Sequence, residues 1–77
     1  MTLMNAPKHV DLFIKDIQIE DEELIGFLFS LGCYTGETIT IMNRHHNGCI
    51  VVIKDGKYNI DKQLANAIIV YPCVSRS

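Results

Sequence analysis

The stretch Leu28-Phe29-Ser30-Leu31-Gly32-Cys33-Tyr34-Thr35-Gly36-Glu37-Thr38-Ile39-Thr40-Ile41 constrains the fold of this chain more than any other. It reads as a helix that stops at one glycine, bends at a second and runs into a strand. Gly32 can take the positive φ that ends a helix, and Gly36 permits the second bend. Ile39 and Ile41 stand two apart, so they share one face of a strand.

The helix can be traced backwards from its stop. Leu24, Ile25, Phe27, Leu28 and Leu31 fall at helical spacing. Leu24, Leu28 and Leu31 are expected to be buried, and Phe27 partly so. The acidic run Glu20-Asp21-Glu22-Glu23 precedes this stripe. Asp21 suits the N-cap, and carboxylates near the helix start complement its dipole. Helix-start chemistry accounts for the acids without a cation site. Upstream, Val10 to Ile17 is rich in β-formers, interrupted at Lys15-Asp16, where a bulge or a strand end is expected.

Downstream the chain is a run of strands. Asp55-Gly56 is its strongest hairpin signal. As a two-residue turn it pairs Ile53 with Tyr58 and Val51 with Ile60. Cys49, Val51 and Ile53 then share a core face with Tyr58 and Ile60. For the preceding hairpin, a two-residue turn at Asn47-Gly48 would put Arg44 on the core face. A three-residue turn, His46-Asn47-Gly48, pairs His45 with Cys49, Asn43 with Val51 and Ile41 with Ile53. It brings Ile39 and Ile41 into the core and is the expected register. It also leaves Met42, Ile50 and Val52 together on the outer face, beside Arg44. An exposed apolar strip marks an interface for self-association or a partner, and Phe29 on the outer side of the helix extends it. Asp61 reads as the N-cap of a short turn, Lys62 to Asn66, with Leu64 and Ala65 inward. Ile68 to Tyr71 is a closing strand ended by Pro72.

Composition excludes several function classes. With 77 residues the chain holds one domain. Its net charge of -2, with both signs interspersed, lacks the basic footprint that nucleic acid requires. The longest apolar runs, Cys49 to Ile53 and Ala67 to Tyr71, fall far short of the roughly 20 residues that span a bilayer, so no direct membrane insertion is expected. Met1 to Lys8 lacks the basic start and apolar core of a signal peptide, and the expected location is cytoplasmic. Three cysteines, an odd number among apolar neighbours, behave as small hydrophobes in a reducing compartment. No nucleophile triad, phosphate loop or paired catalytic carboxylates stand at useful spacing, so no enzymatic activity is expected. His45, His46 and Cys49 form a His-His-x-x-Cys cluster that could share Fe(II) or another divalent transition metal. Three ligands fall short of the four of a structural site, so no cofactor or tightly held ion is expected and any metal affinity there should be weak. Tyr34, Tyr58 and Tyr71 could line a peptide groove, though Tyr58 is already assigned to the core.

The order is strand, helix, three strands, helical turn, strand. It suits a mostly β fold, a small closed barrel of about five antiparallel strands. Residues 1–8 read as a flexible N-terminal tail, 9–72 as the barrel and 73–77 as a C-terminal tail. The Ser-Leu-Gly-x-x-x-Gly-x-x-Ile-x-Ile pattern, together with Ile14-Lys15-Asp16-Ile17, resembles the FeoA family over Phe13 to Val70. The family usually has proline where this chain has Thr35, Met or Leu where it has Cys33, and Gly-Asp-Pro in the loop that here reads His45-His46-Asn47-Gly48. The resemblance implies an SH3-like barrel. It also implies a small cytosolic accessory role in bacterial ferrous iron uptake, as a protein-binding module for FeoB, the membrane iron transporter with a cytosolic GTPase domain. The alternative is a small transition-metal-binding or metal-sensing protein using the His-His-x-x-Cys hairpin.

Overall fold

The computed structural model describes residues 1–73. Its elements are β1 (Asp11–Ile17), α1 (Glu22–Ser30), β2 (Thr38–His45), β3 (Gly48–Ile53), β4 (Gly56–Asp61), α2 (Lys62–Ala67) and β5 (Ile68–Pro72). They form one antiparallel sheet in the order β4-β3-β2-β1-β5. The expected mostly β class and element order are observed. The sheet is not closed: β4 and β5 are its two edges, and α2 packs against β3, β4 and β5.

Local chemistry sets the helix ends. The Asp21 carboxylate accepts from the Glu23 N–H at 2.9 Å, and Asp61 accepts from the Leu64 N–H at 2.8 Å. α1 ends as expected: Gly32 has φ 89°, and Gly36, with φ 95°, makes the second bend. The helix buries less than its stripe promised. Only Leu28 is fully buried; Leu24 and Leu31 are half-buried and Phe27 is exposed. Leu28 enters the core, and Leu24 and Leu31 pack against it from partly buried positions.

The strand registers agree with expectation in one place and differ in two. First, β1 is bulged between Ile14 and Asp16, at the interruption expected there. Second, the β3–β4 turn is Lys54-Asp55, closed by the pair Ile53–Gly56, so Val51 faces Tyr58 and Cys49 faces Ile60. That is a shift of two residues, which keeps every side chain on its expected face. Lys54 takes the left-handed φ of 54°. Gly56 instead lies beneath the Tyr58 ring, where a Cβ would collide with the phenol. Third, the β2–β3 turn is His46-Asn47, closed by His45–Gly48, and β2 is bulged between Ile41 and Asn43. Below the bulge Ile41 faces Val51; above it Arg44 faces Cys49. The extra residue, Met42, inverts the alternation. Ile39, Ile41 and Arg44 therefore all lie on the side of the core, which an unbulged strand cannot achieve.

The N-terminal segment is also corrected. It is not a loose tail: Leu3 and Ala6 are fully buried. The Leu3 N–H donates to the Ala65 carbonyl at 3.2 Å, and the Val70 N–H donates to the Met1 carbonyl at 2.8 Å. Arg44 donates through one guanidinium nitrogen to the carbonyls of Leu3, at 3.1 Å, and Ala6, at 2.7 Å. A charged donor on the core side of β2 is thus satisfied by two backbone oxygens. The core joins these residues to Leu12, Ile14, Leu28, Ile39, Ile41, Val51, Ile53, Ile60, Ile68 and Val70. Of the expected C-terminal tail, Cys73 donates its N–H to the Asp11 carbonyl at 2.9 Å; residues 74–77 lie outside the described residues.

Candidate functional site

The outer face of the sheet carries the apolar strip. Ile50 and Val52 alternate outward along β3 while Cys49, Val51 and Ile53 are buried. Both outward side chains are half-buried, and Met42, raised by the bulge, is 37% exposed. In the register Val52 lies between Thr40 and Lys57, and Ile50 between Asn43 and Asn59. The strip is therefore a narrow apolar row with polar neighbours on both flanks.

Two residues expected in this strip lie elsewhere. Arg44 is turned to the core side and held by the N-terminal carbonyls. Phe29, 63% exposed, stacks on Tyr34 with ring centroids 4.7 Å apart. Lys54 Nζ lies 5.9 Å above the Tyr34 ring and pairs with Glu37 at 3.0 Å. The Glu37 carboxylate, through its hydrogen bond and then its charge, raises the Lys54 pKa. Phe29 and Tyr34 belong, with Tyr58 and Asp55, to a shallow groove between the end of α1 and the β3–β4 turn. Tyr71 is not part of that groove; its ring meets Phe13 at 5.7 Å. A second groove, between the β1–α1 link and α2, is lined by Ile17, Ile19, Leu24 and Leu64 with Glu20 and Asp21 at hand. Sequence reasoning missed it because its walls come from segments far apart in the chain.

The histidine–cysteine cluster is not assembled. Its premise was a His45–Cys49 cross-strand pair, but His45 faces Gly48. Cys49 is fully buried, whereas His45 and His46 are exposed on the turn. His45 Nδ1 accepts from the Asn47 N–H at 3.3 Å. Among the described residues, no three His, Cys, Asp or Glu side chains converge as metal ligands. Burial raises the Cys49 thiol pKa, opposed by the nearby Arg44 charge, and pushes that of Cys33 up to about 12. Neither thiol is a ready thiolate.

The fold matches solved structures closely. A crystal structure of an iron uptake regulatory protein, FeoA, superposes with a TM-score of 0.78 at 22% identity, over 91% of this chain and 92% of that one. The zinc complex of Stenotrophomonas maltophilia FeoA, described as a prokaryotic SH3 domain protein, gives 0.77 at 18% identity, over 92% and 89%. The iron(II) transport protein A of Clostridium thermocellum gives 0.83 at 24% identity; the match covers 94% of this chain but only 45% of that protein. At these identities the likeness establishes the fold, an SH3-like one. No curated protein matches the sequence. The sequence profile of the FeoA domain, however, matches residues 1–72, nearly the whole chain, and the chain therefore belongs to the FeoA family.

Proposed function

We propose that this protein is a cytoplasmic accessory module of ferrous iron uptake that docks on a FeoB-type membrane transporter through the strip Met42, Ile50 and Val52. Membership of the FeoA family associates it with ferrous iron transport. The observation that carries the docking reading is the strip itself. Three apolar side chains stand outward on adjacent strands of a small sheet, where solvated positions ordinarily hold polar residues. No helix among the described residues is long and apolar enough to cross a membrane, so the module would reach a membrane partner by binding it. The role assigned is recognition, with no bond made or broken by the module.

The test is binding to the purified transporter in lipid discs and, separately, to its cytosolic GTPase domain. The wild-type chain is expected to bind, and Val52→Glu to bind at least about tenfold more weakly with an unchanged melting temperature. That loss corresponds to removing one well-packed apolar contact and desolvating a carboxylate in its place. Equal binding by the two chains would sink the assignment of this strip.

A further inference from the structure

The two edges of the sheet are treated differently. The outer side of β5 is covered by the N-terminal segment: Thr2 bridges Ile69, and Val70 bonds to Met1. β4 has no such cover. Among the described residues, β4 pairs only with β3, and no backbone hydrogen bond joins Lys57 or Asn59 to any other segment. The two-residue loop closed by Ile53–Gly56 fixes which groups those are. The pairs Ile53–Gly56, Val51–Tyr58 and Cys49–Ile60 exchange hydrogen bonds, so Lys57 and Asn59 aim their N–H and C=O groups away from the sheet. An uncovered edge of this kind is a template for another strand.

We propose that β4 pairs antiparallel with β4 of a second copy of this chain, about a two-fold axis at Asn59. The charges along the strand select both the occupant and the register. With Asn59 opposite itself, Lys57 faces Asp61 of the second copy and Asp61 faces its Lys57. Tyr58 then lies opposite Ile60. Shifting the axis to Tyr58 sets Asp55 against Asp61, and shifting it to Lys57 sets two lysines together. Both place like charges directly opposite each other. Lys57, Asn59 and Asp61 are exposed in the single chain. Asp61 uses Oδ1 to cap α2, which leaves Oδ2 for the facing ammonium. A lysine on an edge strand ordinarily opposes strand addition. Here the two-fold supplies its counter-charge twice, so the device excludes other strands and admits this one. The pairing does not rest on what covers the Met42–Ile50–Val52 strip.

Sedimentation of the full chain over a concentration series, at low and high salt, tests the proposal. The expected result is a reversible monomer–dimer equilibrium, weakened by salt. Lys57→Glu and Asp61→Lys each place like charges at both ends of the pair and should raise the dimer dissociation constant about tenfold. An equimolar mixture of the two variants restores opposite charges at both ends and should recover the dimer. Asn59→Pro removes an outward N–H that β3 does not use, so it should abolish the dimer while the circular dichroism of the fold persists. Met42→Ser, on β2 and two strands away from β4, should leave self-association unchanged, which separates this surface from the transporter-docking strip. A chain that stays monomeric up to its solubility limit overturns the proposal. So does a dimer indifferent to Lys57→Glu and to Asn59→Pro.

Discussion

At the scale of single residues, the tightest constraint sits at Gly32. Its φ of 89° is one that side chains with a Cβ rarely adopt, and an added Cβ would stand 2.9 Å from Lys54 Cε and 3.3 Å from Ile53 Cγ2. The lysine can swing aside; the backbone strain remains. Gly32→Val should cost more than about 1 kcal/mol, seen as a lower urea midpoint with unchanged slope. An unaltered midpoint would contradict the assigned helix stop. Cys33 makes the second prediction at this scale. Burial holds its thiol at about 12 against an ordinary value of 9.0. Above pH 9 the unfolded chain releases this proton and the folded chain keeps it. Stability is therefore fully present below pH 9 and falls by about 1.4 kcal/mol per pH unit between pH 9 and 12. The upward shifts at Cys49 and Lys54 act in the same direction. Cys33→Val should flatten this alkaline slope, and in the native protein Cys33 and Cys49 should alkylate far more slowly than Cys73, which is only partly buried. Rapid labelling of Cys33 in the folded state would refute its burial.

At the scale of elements, what could be read in advance was what neighbouring residues decide. The two aspartate caps, the bulge at Lys15, the stop at Gly32 and the inward face of β3 all follow from spacing and side-chain chemistry within a few positions. Registers were harder. A slip of two in the β3–β4 hairpin buries the same side chains, so burial could not distinguish Asp55-Gly56 from Lys54-Asp55 as the turn. In β2, burial did discriminate, but between registers that lacked a bulge. Met42 carries no local mark of the bulge, beyond which Arg44 meets two carbonyls near the N-terminus. The outward apolar row of the candidate site was legible because alternation within β3 fixes it; the places of Arg44 and Phe29 were not, since carbonyls near the N-terminus hold Arg44 and stacking on Tyr34 across the helix stop holds Phe29. The Arg44 contact can be tested as an element-level staple. Arg44→Ala removes charge-assisted bonds to the Leu3 and Ala6 carbonyls and should destabilise by roughly 2 kcal/mol. The Leu3 amide, which bonds to Ala65, should lose its hydrogen-exchange protection. Full protection of Leu3 in the variant would show that the segment is held by its apolar contacts alone.

At the scale of the whole molecule, the chain gathers its buried apolar side chains into one core. A domain of this size buries only about 60% of its unfolded surface. The N-terminal segment matters accordingly: it supplies Leu3 and Ala6 to the core and seals the β5 edge. What remains outside is uneven. One sheet edge is covered and the other open, and one outer strand face is apolar although solvent surrounds it. The outward row of Met42, Ile50 and Val52 is the part of this surface that the proposed docking uses. The most direct measurement is the equilibrium affinity of the full chain for a FeoB-type transporter in lipid discs, wild type beside Val52→Glu, with melting temperatures taken on the same samples. The account expects binding by the wild type, a loss of at least about tenfold in the variant, and melting temperatures that agree. Binding that is unchanged by Val52→Glu, or a wild-type chain that does not bind at all, would contradict it.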